Sequence, residues 1–370
     1  MRIVVAEDGD EETSILSLKP WLIENNFASH VPIVPLNRVV DQSAQLRPNV
    51  IILNLHEDVE HAVEIVRDIR ETMPTRIIVI GPTIDAKWIL QLLKEGVYQY
   101  INQEDVKAEL RDALGRLDKS SPTDQDFGSL IAIVSAGGGS GASTVAANVA
   151  TGLSSRHGDC GLVDLRLTSG TLATLFDLHP SHTLADFCRN IQRMDQDMFQ
   201  RCLEPHESGV QLLSSPNSYH EISSISKRGV RKALGMARSK FKYVVADLDS
   251  PYQAEQSPAL LQADTILLVL MLDFSSVRHA QQILEYFDEL ELDRDQIHLT
   301  INRYGRPKEL RIKDVEKTLG LKVRHIIPDA SRQVNRANNI GKPVVLDNPR
   351  SAVSKKLIEI SHLVNGKPTT

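Results

Sequence analysis

Cysteine is scarce in this chain, long apolar runs are missing, and neither sign of charge dominates. The three cysteines, Cys160, Cys188 and Cys202, are odd in number and share no metal-ligand spacing. Neither a disulfide framework nor a zinc centre is expected; buried, reduced thiols are. The longest apolar runs are only strand-sized, which argues against a transmembrane helix. The start, Met1-Arg-Ile-Val-Val-Ala-Glu-Asp8, enters a strand pattern directly and does not read as a signal peptide. With 42 basic and 48 acidic side chains the net charge is −6, which gives no reason to expect general nucleic-acid binding. Internal repeats and low-complexity tracts are not evident either. The expectation is a cytoplasmic protein.

What is present is a globular composition, 41% hydrophobic and 24% charged, over 370 residues. That length is too great for one ordinary core, so two domains are expected. In the first third, Ile3–Ala6, Val50–Leu53 and Ile77–Ile80 are wholly apolar, as buried parallel strands should be. Between them His61–Ile69 and Trp88–Leu92 have helical spacing. Strand–helix alternation implies a parallel sheet covered on both faces, an α/β class of doubly wound type. Leu117-Asp-Lys-Ser-Ser-Pro-Thr-Asp-Gln-Asp126 is polar and aperiodic and reads as a linker. The expected division is residues 1–117, a linker over 118–128, and a second α/β domain over 129–366. Candidate strands in the second domain are Leu130–Val134, Gly161–Asp164, Val210–Ser214, Tyr243–Asp247, Thr265–Leu270, His298–Ile301 and His325–Ile327.

The most informative stretch is Ile131-Ala-Ile-Val-Ser-Ala-Gly-Gly-Gly-Ser-Gly-Ala-Ser-Thr144. It reads as a buried strand, a glycine-rich turn and a helix start, the layout of a phosphate-binding loop. Gly138, Gly139 and Gly141 let backbone N–H groups approach phosphate oxygens. Ser140 and Ala142 complete the loop, Ser143 would place a hydroxyl on Mg²⁺, and Thr144 would stand near the first phosphate.

Segment Ser135–Thr144 resembles the deviant Walker A loop, S-G-K-G-G-x-G-K-[ST]-T, of the MinD/ParA ATPases. That resemblance implies a P-loop NTPase fold, ATP or ADP with Mg²⁺ as cofactors, and a homodimer. Two departures stand out. The family's loop lysine aligns with Ala142 and its signature lysine with Gly137, so phosphate charge would meet only backbone amides, a helix terminus and Mg²⁺. Gly161–Phe176 resembles the second strand and switch I, usually D-x-D; Asp164 keeps the first acid and Arg166 replaces the second, which is hard to reconcile with efficient hydrolysis. Tyr243-Val-Val-Ala-Asp-Leu-Asp249 resembles a Walker B strand with Asp247 as the Mg²⁺-associated carboxylate. Leu299–Arg303 and Ile326–Asp329 resemble the segments framing adenine, which nominates Asn302, with Arg303, Pro328 and Asp329 beside it.

Residues 1–115 resemble response-regulator receiver domains, a flavodoxin-like unit, through the acidic pair Glu7 and Asp8, Arg47-Pro48 before the third strand, and Gly96–Ile101. The family's phosphoacceptor position holds Asn54, its hydroxyl position Gly81 and its lysine position Gln103, so the resemblance implies a docking or dimerisation module without phosphorylation chemistry. Leu178-His-Pro-Ser-His-Thr-Leu-Ala-Asp-Phe187 and His206–Pro216, with this domain order, resemble the CpaE/TadZ pilus-assembly proteins. That implies a polar, dimeric localisation factor for a Tad/Flp pilus and secretion machinery, partnered by other assembly proteins including the secretion ATPase. The rival is a ParA- or MinD-like positioning ATPase using DNA or membrane as matrix. Its features are the basic stretch Lys227–Lys242, read mainly as a solvated amphipathic helix, and the tail Ser351–Val364, read mainly as a last helix packed on the domain. No specific nucleic acid and at most peripheral membrane association are expected.

Overall fold

The computed structural model describes residues 1–7, 18–46, 48–55, 59–73, 75–103, 106–119 and 127–364. The chain separates into two compact units, Met1–Gln125 and Asp126–Thr370. Asp8, Arg47 and residues 120–126 of the expected linker lie outside the described residues. Leu117, Asp118 and Lys119 are not linker: they close the helix Val106–Lys119, because Leu117 is still buried against the first unit's core.

In the first unit the described strands are β1 (Ile3–Glu7), β2 (Ile33–Pro35), β3 (Val50–Asn54), β4 (Arg76–Gly81) and β5 (Gln99–Asn102), all parallel, in the order β2-β1-β3-β4-β5. This is the flavodoxin-like doubly wound order. Within the apolar runs the period of two sends alternate residues to opposite faces. Val4, Ala6, Ile51, Leu53, Ile77 and Val79 pack against the helices Val39–Leu46 and Val59–Thr72. Ile3, Val5, Val50, Ile52, Ile78 and Ile80 pack against Leu18–Glu24 and Val106–Lys119.

The second unit continues with β6 (Ser129–Ser135), β7 (Cys160–Leu165), β8 (Glu204–Pro205), β9 (Val210–Leu213), β10 (Tyr243–Leu248), β11 (Thr265–Leu270), β12 (Ile297–Tyr304) and β13 (Val323–Pro328). Their order is β13-β12-β11-β6-β10-β7-β9-β8, parallel except for the antiparallel β8–β9 edge pair. One face carries Ile131, Ile133, Leu162, Val245, Leu267 and Val269 beneath the helices Ala142–His157 and Ala352–Leu363. The other carries Leu130, Ala132, Val134, Val163, Val244 and Leu268 beneath Lys227–Lys240 and Phe274–Glu289. Close approach of the first helix depends on small side chains: Ala146, Ala147 and Ala150 are buried, and a side chain on Gly152 would meet Ser361 of the last helix. The tail is therefore a packed helix, with Val353, Leu357 and Ile360 buried; truncating Leu357 to alanine would cost about 2–5 kcal/mol. The stretch Lys227–Lys240 is helical, but Arg238 does not face water. It is 7% exposed and donates to the carbonyls of Gly128 (2.8 Å) and Gln262 (3.0 Å).

Candidate functional site

Central strand β6 lies between β10 and β11, and its carboxyl end delivers the glycine-rich turn to the sheet rim, where doubly wound proteins place ligands. Gly137 (φ 149°), Gly139 (φ 77°) and Gly141 (φ 87°) are in backbone conformations that side-chain-bearing residues rarely adopt. Gly138 and Gly139 are exposed with open space around them, so their amides are accessible. The turn is tied internally. Ser135 Oγ contacts the Gly137 carbonyl at 2.6 Å and Ser140 Oγ at 2.8 Å, and Ser140 N–H donates to the Gly137 carbonyl at 3.2 Å. Gly141 then caps the helix Ala142–His157. Ala142 is 3% exposed and belongs to the core beneath that helix, whereas Ser143 and Thr144 are half-buried at its first turn.

Asn302 reaches this loop from the end of β12. Its amide Nδ2 donates to the Ser140 carbonyl at 2.7 Å, and its Oδ1 accepts the Arg303 N–H at 2.9 Å. A side chain on Gly141 would collide with that amide. Asn302 thus positions the loop across 162 residues of sequence. Asn302, Arg303, Pro328 and Asp329 line one groove with Gly141, Thr144 and Val334, partly open to solvent. Asp329 N–H donates to the Tyr304 carbonyl at 2.8 Å, and Asp329 Oδ1 accepts from Ser331 Oγ at 2.6 Å. Thr144 Oγ1 accepts from Asn338 Nδ2 at 3.3 Å, a partner that nothing in the sequence nominated.

Parallel register sets Asp164 of β7 beside Asp247 of β10. Both are buried, at 1% and 0% exposure. Asp164 accepts from the N–H groups of Arg166 (3.1 Å) and Leu172 (3.3 Å) and from Ser215 Oγ (3.4 Å); burial still lifts its pKa to about 6. Asp247 is less compensated. Burial first, then the charge of Asp164, push its pKa to about 8. The Ser143 hydroxyl stands close enough to oppose the shift, yet neither Asp247 oxygen has a hydrogen bond of normal geometry. Arg166, which stands where a second acid was anticipated, pairs with Asp249 at 3.1 Å. Thr168 Oγ1 donates to the same carboxylate at 2.9 Å. Among the described residues no group of three or more His, Cys, Asp or Glu side chains could hold a metal ion.

Known proteins resemble this chain over the greater part of its length. MinD, a septum site-determining protein of Escherichia coli K12, is 26% identical over 230 residues, spanning 59% of this chain and 84% of that protein. The ParA-family ATPase of Chlorobium tepidum TLS superposes with a TM-score of 0.60 at 24% identity, covering 64% of this chain and 98% of that one. Over about 64% of its length, this chain is homologous to the MinD/ParA-family P-loop ATPases. MinD of Pyrococcus horikoshii OT3, solved in complex with Mg-ADP, matches with a TM-score of 0.56 at 20% identity over 64% of this chain and 95% of that one. No protein-family model matches the chain. The parallel-sheet P-loop fold expected of the second domain is thus that of MinD and ParA.

The first unit holds Glu7, Asn54, Gly81 and Gln103 at its strand ends. Asn54 is buried and donates from Nδ2 to Glu7 Oε2 at 3.3 Å, while its Oδ1 has no hydrogen-bond partner among the described residues. Gln103 Nε2 donates to the Leu55 carbonyl at 3.0 Å. Tyr100 occupies the space a side chain on Gly81 would need, and its hydroxyl donates to the Pro82 carbonyl at 2.6 Å. No acid stands at position 54 to accept a phosphoryl group.

Proposed function

We propose that the chain is a MinD/ParA-type positioning factor that binds ATP or ADP with Mg²⁺ at a lysine-free loop and hydrolyses ATP slowly or not at all. The observation that carries this reading is Asp247: a wholly buried carboxylate with neither oxygen in a hydrogen bond of normal geometry, beside Ser143 at the start of a helix whose preceding turn exposes Gly138 and Gly139. A buried charge without a partner is costly, and a divalent cation arriving with phosphate oxygens would compensate it. Ser143 would contribute its hydroxyl to that ion, and Asp247 would act at or just behind the ion's shell. The ion would screen phosphate charge that no lysine meets. Gly138 to Thr144 would hold the phosphates, and the groove of Asn302, Arg303, Pro328 and Asp329 would take the base. Slow turnover follows from the absence of an acid at position 166 to orient water and of a cation at positions 137 and 142. The name of the relatives, septum site-determining protein, supports a positioning role, and a homodimer is part of this proposal.

The second reading is a polar localisation factor of the CpaE/TadZ type for a Tad/Flp pilus, with a receiver-like first unit that docks or dimerises. What supports it is the pairing of the two quoted segments. Thr183 bridges to Ser214, and Leu184 N–H donates to the Ser214 carbonyl at 2.9 Å, so Leu178–Phe187 and His206–Pro216 are held side by side through residues that are buried in the second unit. The flavodoxin-like order of the first unit supports it as well.

Calorimetry with Mg-ATP followed by a hydrolysis assay on the same sample tests the common core of both readings. Binding with little turnover is expected. Brisk turnover would refute the degenerate site, and no binding would refute the nucleotide reading. Capture of the Tad secretion ATPase, in place of a DNA- or membrane-dependent distribution, would favour the second reading.

A further inference from the structure

The loops after β7 and β10 are joined by an unbroken polar network. Arg166 N–H donates to Asp164, and its guanidinium pairs with Asp249 at 3.1 Å and donates to Ser169 Oγ at 3.2 Å. Asp249 also accepts from Thr168. On the far side, the N–H groups of Asp249 and Ser250 donate to Gln256 Oε1 at 3.0 and 3.3 Å. Gln256 is 0% exposed and is itself held by Gln253, its Nε2 donating at 2.7 Å. Gly170 lies flat against Asp164 and Ser215, with no room for a side chain. The Arg166 and Asp249 side chains are about one-fifth exposed, so their attraction is less screened than that of a surface pair.

We propose that the Arg166–Asp249 pair is a built-in clasp, which fixes the loop after β7 to the loop after β10 without nucleotide, so that the site takes nucleoside diphosphate and triphosphate alike. The inference rests on the nucleotide reading above and adds to it the absence of discrimination. In a site that switches, the added phosphate shifts loops between two arrangements through a difference in affinity for them. Here the chain's own cation already occupies its own carboxylate. The loop position where an acid was anticipated is turned from a repulsive neighbour of Asp249 into an attractive one. With one arrangement held in advance, the third phosphate has little left to select.

Hydrogen exchange on the full chain, read by mass spectrometry, tests this, because the amides of residues 166, 169, 172, 249 and 250 are all hydrogen-bonded in the network. The probes are buffer alone, Mg-ADP and Mg-AMPPNP. Segments 166–172 and 249–256 of the wild type are expected to exchange alike in all three, and calorimetric Kd values for the two nucleotides to agree within about threefold. R166A and D249N, which break the pair from opposite sides, should each accelerate both segments by about threefold or more, the scale of a partly screened ion pair. R166K should do so less. A wild-type preference for Mg-AMPPNP above about tenfold, equivalent to 1.4 kcal/mol, would overturn the proposal. So would unchanged exchange in both broken-pair variants. If neither nucleotide binds or protects residues 138–144, the nucleotide reading itself has failed. The ligand-free comparison of wild type with R166A then still decides whether the clasp exists.

Discussion

Replacing Asp247 by asparagine should stabilise the ligand-free protein, an unusual outcome for a buried strand residue. The side chain is fully buried, neither oxygen has a hydrogen bond of normal geometry, and its pKa stands at about 8 in place of 3.8. A carboxyl whose folded pKa is raised favours the fold while protonated. That contribution is complete below the unfolded value near 3.8 and is lost as pH rises through about 8. At pH 8 the four-unit displacement sets an upper limit of about 5 kcal/mol acting against the folded state. Asparagine keeps the shape and removes the charge but leaves a neutral orphan amide, costing about 1–3 kcal/mol. The net gain at pH 8 is then at most about 2–4 kcal/mol, each kcal/mol corresponding to about 2–4 °C in Tm for a unit of this size. At pH 5 only about one unit of ionisation remains to be relieved, about 1–2 kcal/mol, which the orphan amide cancels. Differential scanning calorimetry of wild type and D247N at both pH values reads this directly, with a third arm in Mg-ATP. The variant should melt higher than wild type at pH 8, equal to it at pH 5, and gain less from Mg-ATP. If D247N melts at or below wild type at pH 8, or if the gap is the same at pH 5, the carboxylate is not strained and the reasoning fails.

Gly141→Ala should abolish nucleotide binding in calorimetry and cost about 1–3 kcal/mol in urea unfolding, because the residue has φ 87° and its new Cβ would strike the Asn302 amide. The second unit should also carry an acid-sensitive pair. Arg324 donates to His298 Nε2 at 3.1 Å, so His298 must donate from Nδ1 to His325 Nε2 at 3.2 Å, both rings neutral. Burial holds their pKa values at about 4 and about 3, below the usual 6.5, so stability is present above 6.5 and lost as pH falls below it. Between pH 6.5 and 5 the loss should approach about 2 kcal/mol per histidine, and a His298→Leu/His325→Leu double variant should flatten the urea midpoint over that range. In the first unit, small-molecule phosphodonors should leave the wild type unlabelled at Asn54. Asn54→Asp should lower the first transition by about 2–3 kcal/mol at pH 7, since it sets a second carboxylate against Glu7 in a buried site.

The sheets were legible because fully buried parallel strands write themselves as apolar runs. Val50–Leu53, Ile77–Ile80 and Thr265–Leu270 needed only their sequence. The ends were less legible. Strand β6 extends to Ser129 and Ser135 and strand β12 to Tyr304, because ladder bonds continue past the last apolar side chain. The three-residue β2 and two-residue β8 are edge pieces with too few residues to show a period. In the site, types and spacing placed Ser143, Asp164, Asp247 and Asn302 at strand ends, but not their bonds. An asparagine after a strand looks like a turn former until the fold brings it to Ser140. Arg166 marks the position of a missing acid, but no sequence signal links it to Asp249, because the two stand far apart along the chain and meet only at the ends of β7 and β10. Asn338 left no local signal, because its contact with Thr144 spans 194 residues.

The loop alone does not decide the function. Its shape is held by Ser135, Ser140 and Asn302, all groups of the chain itself, and a turn supported in this way keeps its geometry with or without a ligand. Persistence of the glycines therefore carries less weight than their resemblance suggests. Asp247 is different in kind. Asp164 beside it has three donors, Asp249 beyond it has Arg166 and Thr168, and each is accounted for by the fold. Asp247 alone of the three has no hydrogen bond of normal geometry, only the nearby Ser143 hydroxyl, and packing offers no reason to place an acid there in preference to the apolar residues that surround it on β10. A group that costs the folded state free energy and supports nothing else in it is best understood through what it binds. The nucleotide reading therefore stands on this carboxylate, with the loop as its setting.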